Sequence, residues 1–291
     1  MRVLSHVPVP EGNPVESAGV LAYPPGVRWV IVALDALALA TLAYLGLRLQ
    51  SLVLSRTVIP PAPTFWRLIA PFSAGPCVLA WLVRRACAAR LDRSVEGWTL
   101  RRWSTRVEIP GSARPRLRQW RLPLPGPGGE VELASGALLF SSLEWRPPFA
   151  KLLREDRPES APTAYARERA QWRSRLGAWQ WLVKWLALPA VLAWPFFNLE
   201  QWIEFGGTLG EYYQSGLVPW LGSLARDWLM TATWLLLFAG FWRAVCEAAA
   251  FAATLAAPAR ADGIRFWTEA AGRVAAFAGF PLLLVWRFVL S

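Results

Sequence analysis

The chain has 291 residues, 55% hydrophobic, 13% aromatic and only 18% charged, with a formal net charge of +11. A soluble domain carries about 25% charged residues, so apolar content gathered in long runs argues for lipid around much of the chain and against an ordinary water-soluble enzyme. The basic balance first suggests nucleic acid, but nineteen of the thirty-one Lys and Arg fall between residues 84 and 175, which flank no free end but sit between two apolar runs.

That placement is what orientation by the positive-inside rule produces. The same stretch holds ten acids, so it carries nine of the eleven net positive charges. No nucleic-acid partner is expected; anionic lipid of the inner leaflet is. Cys77, Cys87 and Cys246 are scattered, and His6 is the sole histidine. These cannot assemble a zinc, haem or iron–sulfur site, so neither metal nor cofactor is expected.

Residues 1–26 contain five prolines and little periodicity, and read as an irregular tail. The first apolar run, 29–47, spans about 28 Å as a helix, enough for the hydrocarbon core. Pro60, Pro61 and Pro63 break the chain before the second run, 65–83, in which Pro71 and Pro76 predict a kink. Arg84 and Arg85 end it on the side expected to be cytoplasmic. Residues 27–88 therefore form a transmembrane hairpin.

From residue 92 to 145 the texture changes. Short alternating runs at 95–103, 106–109, 117–122, 130–134 and 138–143 are punctuated by Pro110 and Gly111, by the glycines at 126, 128 and 129, and by Ser135 and Gly136. This pattern predicts a small antiparallel sheet. The stretch from Pro147 reads as helical or irregular, and residues 165–175 as a charged helix entering the membrane directly. Residues 89–175 are thus a basic cytoplasmic domain with a linker helix.

The third run, 176–197, contains Lys184 with Pro189 and Pro195. A periplasmic loop, 198–227, follows, rich in acids and in aromatic residues suited to an amphipathic segment. The fourth run covers 228–255, a basic link covers 258–267, and the fifth run, 274–290, closes the membrane part, 176–291. The fold class is an α-helical polytopic integral membrane protein of about five transmembrane helices, with a small β-rich domain inserted between the second and third. N-terminus and domain face the cytoplasm of a bacterial inner membrane; the C-terminus faces the periplasm.

Four ionisable residues fall within or beside the apolar runs and are candidate intramembrane polar sites: Asp35, Lys184, Arg243 and Glu247. Asp35 suits an interhelical pair better than a proton site. Arg243 and Glu247, spaced i,i+4, share a helix face and can pair. Lys184 can snorkel. Gly272 with Ala276, and Ala275 with Gly279, give small-xxx-small spacing for close packing of the fourth and fifth helices, or for a partner subunit. There is no GxSxG and no P-loop, so no catalytic residue is named.

The strings EGWTLRR from Glu96, RVEIP from Arg106, WRLPLPGPG from Trp120 and LASG from Leu133 resemble bacterial pleckstrin-homology-like domains, small β-rich modules often tethered to membrane helices. The likeness covers residues 93–145. It implies a non-catalytic scaffold or interaction domain and brings no site residues with it. The expectation is a non-enzymatic accessory or scaffold subunit of a larger membrane assembly, touching anionic lipid or a protein partner. The alternative is a transporter or channel component with the four ionisable residues lining a path.

Overall fold

The computed structural model describes residues 16–288 except 25, 95–96, 103–104, 111–115, 121–123, 127, 133–137, 146–160 and 175–176. The expected irregular stretch 1–15, the turn at Ser135 and Gly136, and the stretch 147–160 lie outside the described residues. Two compact units form, one from Met1–Val30 with Leu82–Pro158, the other from Ile31–Trp81 with Glu159–Ser291.

The first unit holds seven strands: β1 Glu16–Ala22, β2 Ala88–Ser94, β3 Gly97–Arg102, β4 Thr105–Pro110, β5 Arg116–Gln119, β6 Gly128–Glu132 and β7 Leu138–Trp145. Their order across the sheet is β4-β3-β2-β1-β7-β6-β5, with antiparallel neighbours throughout. Two meanders, β1 to β4 and β5 to β7, are joined side by side through the pairing of β1 with β7, leaving β4 and β5 as the edges. Val20, Leu91, Leu100, Trp120 and Leu143 are buried in it. Gly128 is required where it stands, because a Cβ there would lie 2.3 Å from the Trp120 ring and 2.4 Å from the Leu143 carbonyl oxygen.

Two strands correct the sequence reading. Residues 16–22 are not part of an irregular tail: they form β1, at the centre of the sheet between β2 and β7. Residues 88–94 form β2, directly after the basic stop. Between β1 and β2 the chain makes the helical hairpin of α1 (Val27–Leu54) and α2 (Ala62–Ala86). The β1–β2 ladder ends at Leu21 opposite Ala88, and the Ala22 N–H donates to the Cys87 carbonyl at 2.9 Å. Strand pairing thus holds the start of α1 beside the end of α2.

Side chains reinforce this junction. The Tyr23 hydroxyl donates to Glu144, and burial together with that carboxylate pushes its phenol well above the usual range. The Arg28 guanidinium lies 3.7 Å above the Trp120 ring, a cation–π contact, and its Nε donates to the Leu124 carbonyl at 2.7 Å. Arg102 on β3 donates to the Ala86 carbonyl, one of the orphan acceptors at the end of α2.

The second unit is helical. After α3 (Ala161–Ser174) come α4 (Trp179–Phe205), the short α5 (Gly210–Ser215), α6 (Leu217–Ala256) and α7 (Pro258–Phe288). Among the described residues, α1, α2, α4, α6 and α7 are the five helices long and apolar enough to cross a membrane, judged by length and composition. Leu45, Leu49, Phe65, Ile69, Leu235, Leu237, Phe280 and Leu284 meet in their common core. Only 17–28% of each helix's most apolar stretch is buried, so the greater part faces outward.

Several boundaries differ from the sequence reading. The expected loop 198–227 is helical at both ends, α4 running to Phe205 and α6 starting at Leu217. The turn between them is set by Gly206 and Gly216, both at positive φ. The expected link 258–267 is helical, with Pro258 in its first turn. The charged helix α3 does not run directly into α4: Gly177 is extended at φ −79°, ψ 156°. A π turn ends two residues before a proline in three helices: Ala70–Ala74 before Pro76, Val183–Ala187 before Pro189, Ala275–Gly279 before Pro281. A proline lacks the N–H owed to residue i−4 and its ring crowds that carbonyl, and a widened turn relieves both.

α1 crosses α6 closely at Gly46, where a Cβ would lie 2.2 Å from the Leu237 carbonyl oxygen and 2.7 Å from Phe241 Cβ. Gly46→Val therefore collides with backbone and is expected to cost about 3 kcal/mol, the upper end for overpacking. Gly222→Ala, also on α6 but with nothing within 4 Å of its Cβ, is expected to leave stability unchanged or raise it. Thermal unfolding of both variants in detergent checks the pair.

Candidate functional site

Two helices carry the same local pattern, an arginine four residues before a glutamate: Arg243 and Glu247 on α6, Arg265 and Glu269 on α7. Spacing of four places each pair on one helix face. The helices pack antiparallel with these faces together, so the charges alternate around a closed ring. Glu247 accepts from Arg265 at 2.9 Å through both of its oxygens and from Arg243 at 2.5 Å. Glu269 accepts from Arg243 at 2.8 Å and also from Arg265.

Three members of the ring are well removed from solvent, the Arg265 side chain 3% exposed, Glu247 11% and Glu269 12%, while Arg243 is 42% exposed. Charges so placed are tolerated only when paired and hydrogen-bonded. Helix α3 docks against the ring. Its Tyr165 hydroxyl donates to Glu247 at 2.5 Å, and the Tyr165 ring meets Phe251 edge-on at 5.2 Å. Arg169 of α3 approaches Glu247 at 3.9 Å. Burial, then the hydrogen bond to Glu247, pushes the Tyr165 phenol up to about 12.

The expected pair Arg243 and Glu247 is therefore half of a four-charge ring. Arg265 falls in the stretch that reads as a basic link, and the repeated R-x-x-x-E spacing is the signal that marks it together with Glu269; Tyr165, in the expected charged helix 165–175, carries no such signal. Lys184 lies in the π turn of α4, its ammonium 4.9 Å from the Trp185 ring and within electrostatic reach of Arg243 and Glu269. Asp35 is half-buried on α1 and is not a member of the ring. Of the small residues, Ala276 is buried, Ala275 is half-buried, a Cβ on Gly272 would lie 3.7 Å from Cys246 Sγ, and one on Gly279 3.4 Å from the Phe238 ring.

A second polar cluster ties the turn between α4 and α6. Buried Gln201 donates to buried Glu211 at 2.8 Å and accepts from its backbone N–H, and Ser223 donates to Glu211 at 3.0 Å. Arg226 bridges Glu200 and Asp227. Among the described residues no group of three or more His, Cys, Asp or Glu is placed to hold a metal ion. Comparison with known proteins finds no family model, no curated protein and no solved structure that matches the chain.

The ring should be costly to break and cheap to replace whole. Glu247→Leu leaves Glu269 alone to balance both Arg243 and Arg265, one cation uncompensated, and is expected to lose about 3–5 kcal/mol. Converting all four charges to Met and Leu should recover most of that, as unfolding of the two variants in detergent will report. Tyr165→Phe is expected to lose about 1.5–3 kcal/mol, the value of a hydrogen bond to a charged group. Because the folded phenol titrates above its ordinary value near 10, this contribution is whole below pH 10 and lost as pH rises towards 12. Unfolding of wild type and Tyr165→Phe across that range should show the difference closing.

Proposed function

We propose that the chain is a non-enzymatic accessory or scaffold subunit of a bacterial inner-membrane assembly, holding a β-sheet domain at the cytoplasmic surface. The observation that carries this reading is the double attachment of the sheet to the helical hairpin. β1 leads into α1, α2 leads into β2, and the two strands pair with each other.

Helix lengths support the membrane reading and its orientation. From Glu269 to Phe288 α7 runs about 28 Å, and from Lys184 to Phe205 α4 runs about 32 Å, each close to the hydrocarbon thickness of about 30 Å. The charged ring and Lys184 then fall at one boundary of the hydrocarbon. α6, at about 60 Å, continues beyond it. The bias of Lys and Arg makes that boundary the cytoplasmic one. The seven-stranded antiparallel sheet supports the likeness to pleckstrin-homology-like modules by giving the domain strands that lie outside residues 93–145. The transport alternative has less support, because Arg243 and Glu247 are committed to the ring.

Orientation is testable with a membrane-impermeant maleimide on a chain freed of Cys77, Cys87 and Cys246. Exposed Tyr213→Cys in α5 should label in intact spheroplasts, while exposed Ala88→Cys in β2 should label only after permeabilisation. Labelling of Ala88→Cys in intact spheroplasts would contradict the reading.

A further inference from the structure

Three arginines stand in one row across the sheet: Arg90 on β2 is opposite Arg101 on β3, and Arg101 is opposite Arg106 on β4. Residues directly opposite in an antiparallel ladder share a face and lie about 5 Å apart. All three side chains are exposed. Like charges placed directly opposite destabilise a sheet, and nothing in packing requires arginine at an exposed position. Two acids share the face, Glu108, two residues along β4 and paired with Arg106 at 2.9 Å, and Asp92, two residues along β2, so the arginines outnumber the acids by one. The row on its own face is therefore a cationic stripe held at a cost to the fold.

The stripe is also fixed in height. Arg90 lies four residues beyond Ala86, where α2 ends, so at most about 13 Å of strand separates them. The register brings Arg101 and Arg106 level with Arg90. Arg102, next to Arg101, reaches back to the Ala86 carbonyl at 3.4 Å. Arg84 and Arg85 fill the last turn of α2.

We propose that the Arg90, Arg101 and Arg106 row is a docking surface for the phosphates of anionic phospholipid headgroups in the leaflet at which α2 ends. This rests on the membrane reading and deepens it, naming the side chains and the lipid chemistry. A cation near such a surface gains about 1 kcal/mol, and the gain falls off within a Debye length of about 8 Å at physiological salt. An acidic protein would also match the charge, but the level set by the end of α2 is that of headgroups.

The test compares the full chain in nanodiscs of phosphatidylcholine alone and of equal phosphatidylcholine and phosphatidylglycerol, following thermal unfolding. The wild type should melt several degrees higher in the anionic discs, and 1 M salt should abolish the difference. The triple variant Arg90→Gln/Arg101→Gln/Arg106→Gln should lose the shift, yet melt no lower than wild type in phosphatidylcholine, because it relieves like-charge opposition. The triple change to lysine should retain the shift. An equal shift in the glutamine variant, or no shift in wild type, would overturn the docking surface, the second result pointing to an acidic protein instead. Failure of the chain to enter nanodiscs at all would overturn the membrane reading and the docking surface with it.

Discussion

Hydrocarbon offers no hydrogen bonds, so a chain that turns apolar side chains outward must satisfy every polar group from within. The five long helices of this protein meet that constraint in several places. Prolines deprive α2, α4 and α7 of backbone donors, and each helix answers with a π turn just upstream. Arg243, Glu247, Arg265 and Glu269 meet one another. Gln201 and Ser223 meet Glu211 at the turn between α4 and α6. Trp66 donates its ring N–H to Thr233, which donates in turn to the Leu229 carbonyl. Outward apolar faces of this extent have their natural solvent in hydrocarbon.

The polar groups also divide the labour along the chain. The ring joins α6 to α7 and, through Tyr165, brings the polar helix α3 against them. Strand pairing does the corresponding work in the other unit, where β1 and β2 hold the two ends of a helical hairpin. A helical pair defined by a ladder at one end needs no large interface between its own helices to stay together there. This arrangement suits a part that holds something in place better than one that opens and closes.

Much of this was legible in the sequence, for physical reasons that also explain what was not. Helices in lipid advertise themselves by long apolar runs, so all five were found; their ends were not, because glycines at 206 and 216 stop helices where polar residues merely decorate them. Strands β3 to β7 were announced by alternation and glycine or proline punctuation. β1 was hidden because its partners lie beyond the whole hairpin, and ESAGVLA has no partner in its own neighbourhood. β2 was hidden behind Arg84 and Arg85, whose charge reads as the end of a helix whatever follows. Arg243 and Glu247 could be paired by spacing alone, but a contact between helices leaves no mark on either one except the repetition of the pattern, and Arg265 had already been given another meaning.

The central claim is that the outward faces of these helices lie in hydrocarbon. Trp81, Trp179, Trp194, Trp202 and Trp286 are exposed on three of them, which makes the chain its own depth probe. After reconstitution in phosphatidylcholine brominated on its acyl chains, tryptophan emission should fall strongly relative to unbrominated lipid, and aqueous iodide should quench little of what remains. Emission indifferent to the brominated chains but quenched by iodide would contradict the account.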